Sequence, residues 1–294
     1  MGGNDDESLR ALHRAMDLGV NFIDTALAYG EGHSEKLVGR VIRDAKHRMY
    51  VATKVPPKNK LWPARPGIGI DRVFPYDYTL HCVDESLHNL KVEAIDLLQL
   101  HVWNPEWFPN EEWRRAFEEL KTAGKVRAVG VSINDHQPDS ALELVKSGLI
   151  DAVQVIYNVF DQTPEASLLP LTQQMNVGVL ARVPFDEGSL TGNITEDTVF
   201  QPKEFRAFYF RGDRKKQVVE HVDALKKDLG SQDGSLAEVA LRFTITHPAV
   251  TTVIPGMRSV RNVERNASVS DKGPVDEPTL AILRRHAWNR NYYS

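Results

Sequence analysis

Short β-branched runs alternate along the chain with longer stretches of helical period, and this alternation predicts repeated βα units around a parallel sheet. The strand pattern falls at residues 20–24 (VNFID), 49–55 (MYVATKV), 95–100 (IDLLQL), 126–132 (VRAVGVS), 151–156 (DAVQVI), 177–182 (VGVLAR) and 250–254 (VTTVI). Amphipathic helices are predicted near 5–19, 34–46, 78–91, 110–123, 136–147, 164–175 and 235–247. Gly124 and Gly148 stand just after two of these helices, where a left-handed C-cap is needed. The two long connections, 56–77 and 183–212, both follow the C-terminal end of a strand, which in a barrel is the face that carries the active site.

No low-complexity linker divides the chain, so residues 1–294 are read as a single domain of the (β/α)8 barrel class. The seven strand patterns fall one short of the eight that such a barrel requires, and the chain opens directly in a helical stretch. The count therefore predicts a barrel lacking its first strand in this chain, with a strand of about 5–6 residues expected upstream and Met1 an internal or wrongly chosen start.

Charge and composition narrow the partners. A formal net charge of -4 with a pI near 6.2 argues against binding nucleic acid, because such domains present an excess of Lys and Arg on one face. Cys82 is the only cysteine, which excludes an internal disulfide and a zinc site built from several thiolates. The start MGGNDDESLR carries no basic segment followed by an apolar core, and no apolar run reaches the ~18 residues of a membrane span. A cytoplasmic protein with a small-molecule substrate, no membrane partner and no metal is expected.

The chemistry gathers at strand ends. NFIDTALAYG closes the first strand pattern, VATK the second and LLQLH the third, so Asp24, Tyr29, Lys54 and His101 lie at or just beyond strand C-termini. Each alone reads as packing or surface charge, but together they have complementary roles. Carbonyl reduction needs a proton donor, and a phenol of ordinary pKa, about 10, serves at neutral pH only if a nearby cation stabilises the phenolate. Lys54 can be that cation, with Asp24 keeping it charged and oriented. His101 can orient the substrate oxygen. A metal-dependent barrel hydrolase is the competing reading, but it wants His and carboxylates clustered on several strand ends, and only Asp24 and His101 qualify.

GVNFIDTALAYGEGHSEKLVGRVI, VATKV, IDLLQLH, VRAVGVS and IPGMRSVRNVERN resemble aldo-keto reductase motifs in that family's order, from residue 5 to about 267. The resemblance implies an NADPH-dependent oxidoreductase that exchanges a hydride between nicotinamide and a carbonyl or alcohol, with Asp24, Tyr29, Lys54 and His101 as its tetrad and Tyr29 as general acid/base. A non-catalytic nicotinamide-sensing module of the same fold is the alternative, and the intact tetrad argues against it.

The cofactor side comes in pieces, since no G-x-G-x-x-G is present. Arg258, Arg261 and Arg265 recur at i, i+3 and i+7 beside the start of a helix after the last strand, a ready anion site. By similarity, Gly256, Arg258, Asn262 and Asn266 would hold the adenosine 2′-phosphate and adenine, and Arg258 points to NADPH rather than NADH. The resemblance also assigns Ser132 and Gln154 to the nicotinamide carboxamide, and Gly188 and Leu190 to a loop under the pyrophosphate. Three positions depart from the family pattern: Asn262 stands where Gln is common, Ile133 intervenes between Ser132 and Asn134, and Arg182 replaces the aromatic that commonly stacks on nicotinamide. A planar guanidinium can take that place or pair with a phosphate. Trp62, Trp103, Trp107 and Phe108 fit either apolar pocket walls or loop packing.

Overall fold

The computed structural model describes residues 4–230 and 234–293. Seven parallel strands form one sheet in sequence order: β1 (Phe22–Asp24), β2 (Tyr50–Val55), β3 (Ile95–Leu100), β4 (Val126–Ser132), β5 (Ala152–Ile156), β6 (Gly178–Arg182) and β7 (Thr252–Val253). All seven expected strands are present, trimmed by up to two residues at their ends. Met1–Gly3 lie outside the described residues, as do 231–233 and 294.

The period-2 alternation of each strand separates two environments. In β2, Val51, Thr53 and Val55 face away from Ala52 and Lys54. The register Ala52↔Leu97↔Ala128 aligns small and apolar residues of neighbouring strands, and Ala52, Leu97, Ala152 and Leu180 form one buried cluster with Phe22 and Ala128 against it. Two residues further along each strand the same face carries Asp24, Lys54, Gln99, Gln154 and Arg182. An apolar layer thus underlies a polar one.

The sheet curls strongly. Asp24 on β1 and Gln154 on β5 are four strands apart, which in a flat sheet would be roughly 19 Å at ~4.8 Å per strand. Yet Gln154 Nε2 donates to Asp24 Oδ1 at 2.9 Å. Only a sheet wrapping toward barrel closure lets side chains of this length meet.

Helices cover the outer face: α1 (Asp5–Asp17), α2 (His33–Val41), α3 (Ile70–Val73), α4 (Tyr76–Leu90), α5 (Glu112–Thr122), α6 (Leu142–Lys146), α7 (Leu168–Met175), α8 (Phe205–Tyr209), α9 (Arg214–Leu229), α10 (Leu236–Thr246), α11 (Val260–Ala267), α12 (Val269–Lys272) and α13 (Glu277–Arg284). Gly124 and Gly148 adopt φ of +71° and +69°, the left-handed conformation their positions require. The expected helices at 136–147 and 164–175 begin as 3₁₀ turns at Pro138–Ala141 and Thr163–Glu165, each with a proline in its first turn, where the missing amide forfeits no helix bond. The helix expected over 34–46 stops at Val41 and tightens into a 3₁₀ turn ending at Asp44.

Two differences are larger. The connection 183–212 is not simply a loop but contains a 3₁₀ segment, Asp186–Thr191, and the helix α8. The 16-residue α9 follows it unannounced, with Val218, Val222, Leu225 and Leu229 buried at helical spacing within a run dominated by charged side chains. Trp103 and Trp107 belong to the core, stacked edge to face with each other, and Trp103 likewise with Trp113. For these two tryptophans the packing reading holds.

The C-terminal segment straps the 183–192 connection. Arg290 pairs with Asp186, both almost fully buried, and Tyr209 Oη donates to the same carboxylate at 3.2 Å. Removing one member of a buried pair leaves an uncompensated charge, at a cost of about 3–5 kcal/mol. Arg290→Ala should lose stability of that order in urea unfolding, and a loss below ~1 kcal/mol would show that water reaches Asp186 in the folded protein.

Candidate active site

Lys54, on β2, has a fully buried ammonium, and its Nζ lies 2.5 Å from Asp24 Oδ2 and 2.8 Å from the Thr25 carbonyl. A buried amine keeps its proton only with such partners. Asp24 in turn accepts Nε2 of Gln154 at 2.9 Å and Nε2 of Gln99 at 3.4 Å on its other oxygen. The carboxylate is thereby oriented from β2, β3 and β5 together.

Tyr29 stands on the turn after β1, where Tyr29 N bonds the Ala26 carbonyl at 3.0 Å. Lys54 Nζ sits 5.5 Å from the centroid of its ring, and the His101 ring meets it edge to face at 5.7 Å. Asp24, Tyr29, Lys54 and His101, spread over 78 residues of sequence, are one contiguous cluster. Burial holds the His101 imidazole well below its ordinary pKa, reinforced by the positive charges of Lys54 and Arg182. It is neutral at physiological pH, and its Nδ1 is buried without a hydrogen-bond partner among the described residues.

A cavity of about 120 Å³ opens beside this cluster, lined by Tyr29, Trp62, Pro63, His101, Val102, Ser132, Ile133, Asn134, Asp135, Gln154 and Arg182. Trp62, half-exposed, meets His101 edge to face at 5.7 Å and is the one loop aromatic of the four considered that joins the wall. Its loop is clamped from β4: Asn134 Oδ1 accepts from Ala64 N at 3.1 Å, and its Nδ2 donates to Ala64 O at 3.2 Å. Asn134 is therefore committed to the loop, leaving Ser132 and Gln154 as the expected carboxamide binders that line the cavity.

On the neighbouring rim, Gly188 lies in the 186–191 segment at φ +108°, and a Cβ there would stand 3.8 Å from Arg206 Nη1. Leu190 is fully buried beneath that segment. Beyond β7, Ser259 caps α11 by accepting Asn262 N at 3.3 Å, and Asn266 Nδ2 reaches the Gly256 carbonyl at 3.5 Å. Arg258 and the Asn262 side chain remain exposed at that helix N-terminus. Gly256 and Asn266 are thus linked by a hydrogen bond, with Arg258 and Asn262 exposed at the same helix start.

The aldo/keto reductase family model matches residues 2–287. The chain belongs to the aldo/keto reductase family. It is 28% identical over 291 residues to the oxidoreductase YqkF of Bacillus subtilis, covering 97% of this chain and 89% of that protein. Among solved structures it resembles a glycerol dehydrogenase of Gluconobacter oxydans, at 30% identity with a TM-score of 0.77, covering 99% of this chain and 89% of that one. A holo aldo-keto reductase of Bacillus halodurans gives 26% identity and a TM-score of 0.77, covering 97% and 89%.

Against the family pattern, Arg182 is the most consequential departure. Its Nη2 donates to the Ile133 carbonyl at 3.1 Å and to Asp135 Oδ1 at 2.6 Å, so the guanidinium is pinned across the cavity rim. Asp135 and Gln99 were not singled out from sequence. Gln99 shares the inward face of β3 with Leu97, a period-2 signal that could have found it. Asp135 carries no such signal.

Because His101 is neutral in the fold while an unfolded histidine titrates near ~6.5, the unfolded chain takes up the proton first. Stability should be intact above that pH and fall below it, by about 1 kcal/mol per site at one unit lower. Melting temperatures at pH 7.5 and 5.5 should therefore drop less for His101→Gln than for the wild type. An equal drop would mean that His101 protonates without unfolding.

Proposed function

We propose that this reductase transfers a hydride between NADPH and a small carbonyl or alcohol, with Tyr29 as general acid/base and the seven strands as members of a single-domain (β/α)8 barrel. The observation that carries the reading is the fully buried Lys54 ammonium on Asp24, set beneath the Tyr29 ring with His101 at its edge. As a carbonyl oxygen gains electrons, Tyr29 gives up its phenolic proton, and Lys54 stabilises the phenolate left behind. In the reverse direction the phenolate accepts the alcohol's proton. Neutral His101 adds a hydrogen bond to the same oxygen without competing for the proton, since an imidazolium there would be the stronger acid.

The residues present fit a dinucleotide phosphate. The positive N-terminal end of α11 and the exposed Arg258 would suit the 2′-phosphate, with Gly256, Asn262 and Asn266 lining its approach. Gly188 and Leu190 would border the pyrophosphate, with Ser132 and Gln154 toward the nicotinamide. Bound NADPH would supply the hydride. The name of one structural relative, a reductase of Klebsiella pneumoniae in complex with NADPH, agrees with that choice.

Tyr29→Phe should reduce turnover by ~10²–10⁴-fold while leaving NADPH affinity nearly unchanged, read by NADPH fluorescence titration beside steady-state kinetics. Undiminished turnover would remove Tyr29 from the mechanism. Arg258→Ala should weaken NADPH by roughly ten- to a hundredfold and NADH far less, because only NADPH carries the second phosphate. Equal losses for both would show that Arg258 does not read that phosphate.

A further inference from the structure

Trp288–Tyr293 lie beyond residues 2–287, the stretch that carries the family pattern, yet their large side chains are all anchored. Trp288 N donates to the Phe160 carbonyl at 2.8 Å, and its ring stacks on His221 with centroids 3.6 Å apart. Tyr292 Oη donates to Gln217, and its carbonyl accepts from Arg214 Nη1 at 2.7 Å. These anchors on α9 and the connection after β5, with Arg290 on Asp186, deliver the chain's end to one place. There Tyr293 enters between two strand connections. Its Oη donates to Glu187 Oε1 at 2.8 Å after β6, and its ring meets His136 after β4 and stacks on Phe205, both at 5.7 Å between centroids. His136 is itself fixed, with Nδ1 2.6 Å from Asp161 Oδ2, and it directly follows Asp135, the partner of Arg182. Burial and Glu187 hold the Tyr293 phenol well above its ordinary pKa, with Arg182 opposing, so the hydroxyl remains a donor.

We propose that Tyr293 is a positioning residue for the cofactor: through Glu187 it fixes the 183–192 connection in its binding conformation before the dinucleotide arrives. This rests on the reading that Gly188 and Leu190 border the pyrophosphate. Val183, Asp186 and Glu187 stand at positive φ, a conformation that relaxes where the surroundings do not enforce it. A connection that must be ordered during binding subtracts that cost from affinity, and a site populated only in part binds more weakly by that fraction. One hydrogen bond to a carboxylate biases such an equilibrium by roughly ten- to a hundredfold. Tyr293→Phe removes this bias alone, because the ring keeps its places on Phe205 and His136. The pyrophosphate is common to NADPH and NADH, so the effect falls on both alike.

The test is amide hydrogen exchange in the cofactor-free protein, which reports local opening, beside fluorescence titration of NADPH and NADH. The amides to follow are Asp186, bonded to the Val183 carbonyl, and Gly188 and Leu190, both bonded to the Phe185 carbonyl. In Tyr293→Phe they should exchange roughly tenfold faster or more, and both cofactors should bind more weakly by a common factor. Glu187→Gln keeps an acceptor for the phenol and should match the wild type. Glu187→Leu should match Tyr293→Phe, and the double variant should lose nothing further. Saturating NADPH should slow the same amides in every protein, because opening them would release the cofactor. Exchange and affinity unchanged in Tyr293→Phe, a loss confined to NADPH, or faster exchange spread over the whole chain overturns the role of Tyr293. Bound NADPH that leaves these amides unslowed in the wild type removes Gly188 and Leu190 from the cofactor site and this inference with them.

Discussion

The site depends first on keeping one ammonium charged where no water reaches it. Lys54 has a fully buried side chain, and taking an ammonium out of water carries a large desolvation penalty. Asp24 is its counter-ion, but a buried carboxylate carries a desolvation penalty of its own, and mutual attraction offsets both penalties only if the remaining lone pairs are bonded. Gln99 and Gln154 supply those bonds and Thr25 O takes a second ammonium hydrogen. One ion pair therefore needs correct placement of β1, β2, β3 and β5 at once. Curl and register are coupled to catalytic chemistry through a single carboxylate.

This coupling explains how much of the molecule was legible. The strands show themselves through local composition, since β-branched runs such as VATKV fit a pleated surface buried on both sides and nothing else in the chain competes with them. Asp24, Tyr29, Lys54 and His101 were readable because each sits inside its own strand-end motif. What Gln154 touches was not readable, because its partner is 130 residues away and its amide serves Asp24 as well as the cavity. The same holds for Asn134, whose amide is spent on the Ala64 backbone 70 residues earlier. Helix α9 was missed for a different reason. Its apolar residues do recur at helical spacing, but they are diluted among lysines, and its burial against Phe210, Tyr209 and the C-terminal residues is set by tertiary contacts that no local window reports.

The cofactor side is built on strain rather than propensity. Val183, Asp186 and Glu187 all adopt positive φ near +50°, a conformation that costs non-glycine residues of order 1–3 kcal/mol each. Such a run persists only where the surroundings determine it. The surroundings here are the C-terminal segment: Arg290 on Asp186, Tyr293 Oη on Glu187 at 2.8 Å, and Tyr293 stacked on Phe205. Burial pushes the Glu187 carboxyl above its ordinary pKa, against the opposing hydrogen bond from Tyr293. Asn158 adds a bond to the Val183 carbonyl at 2.9 Å. Gly188 then follows at φ +108°, a backbone conformation that only glycine takes without strain.

These two halves meet at Arg182, whose charge is balanced within the site. An unpaired guanidinium beside Lys54 and His101 would leave an uncompensated cation in a poorly solvated site. Asp135, immediately after β4, cancels it at 2.6 Å, just as Asp24 cancels Lys54 at 2.5 Å. One neutralised ion pair on the cavity wall and a second buried beside Tyr29 thus accompany one neutral imidazole. No net charge is fixed in advance where the carbonyl oxygen would sit, yet two oriented cations stand ready to respond when negative charge develops there. Preorganised dipoles of this kind stabilise a transition state more than a ground state, because they require no reorganisation at the moment of reaction. An aromatic at position 182 would offer stacking area but no such response, so the guanidinium favours recognition of oxygen over general apolar accommodation.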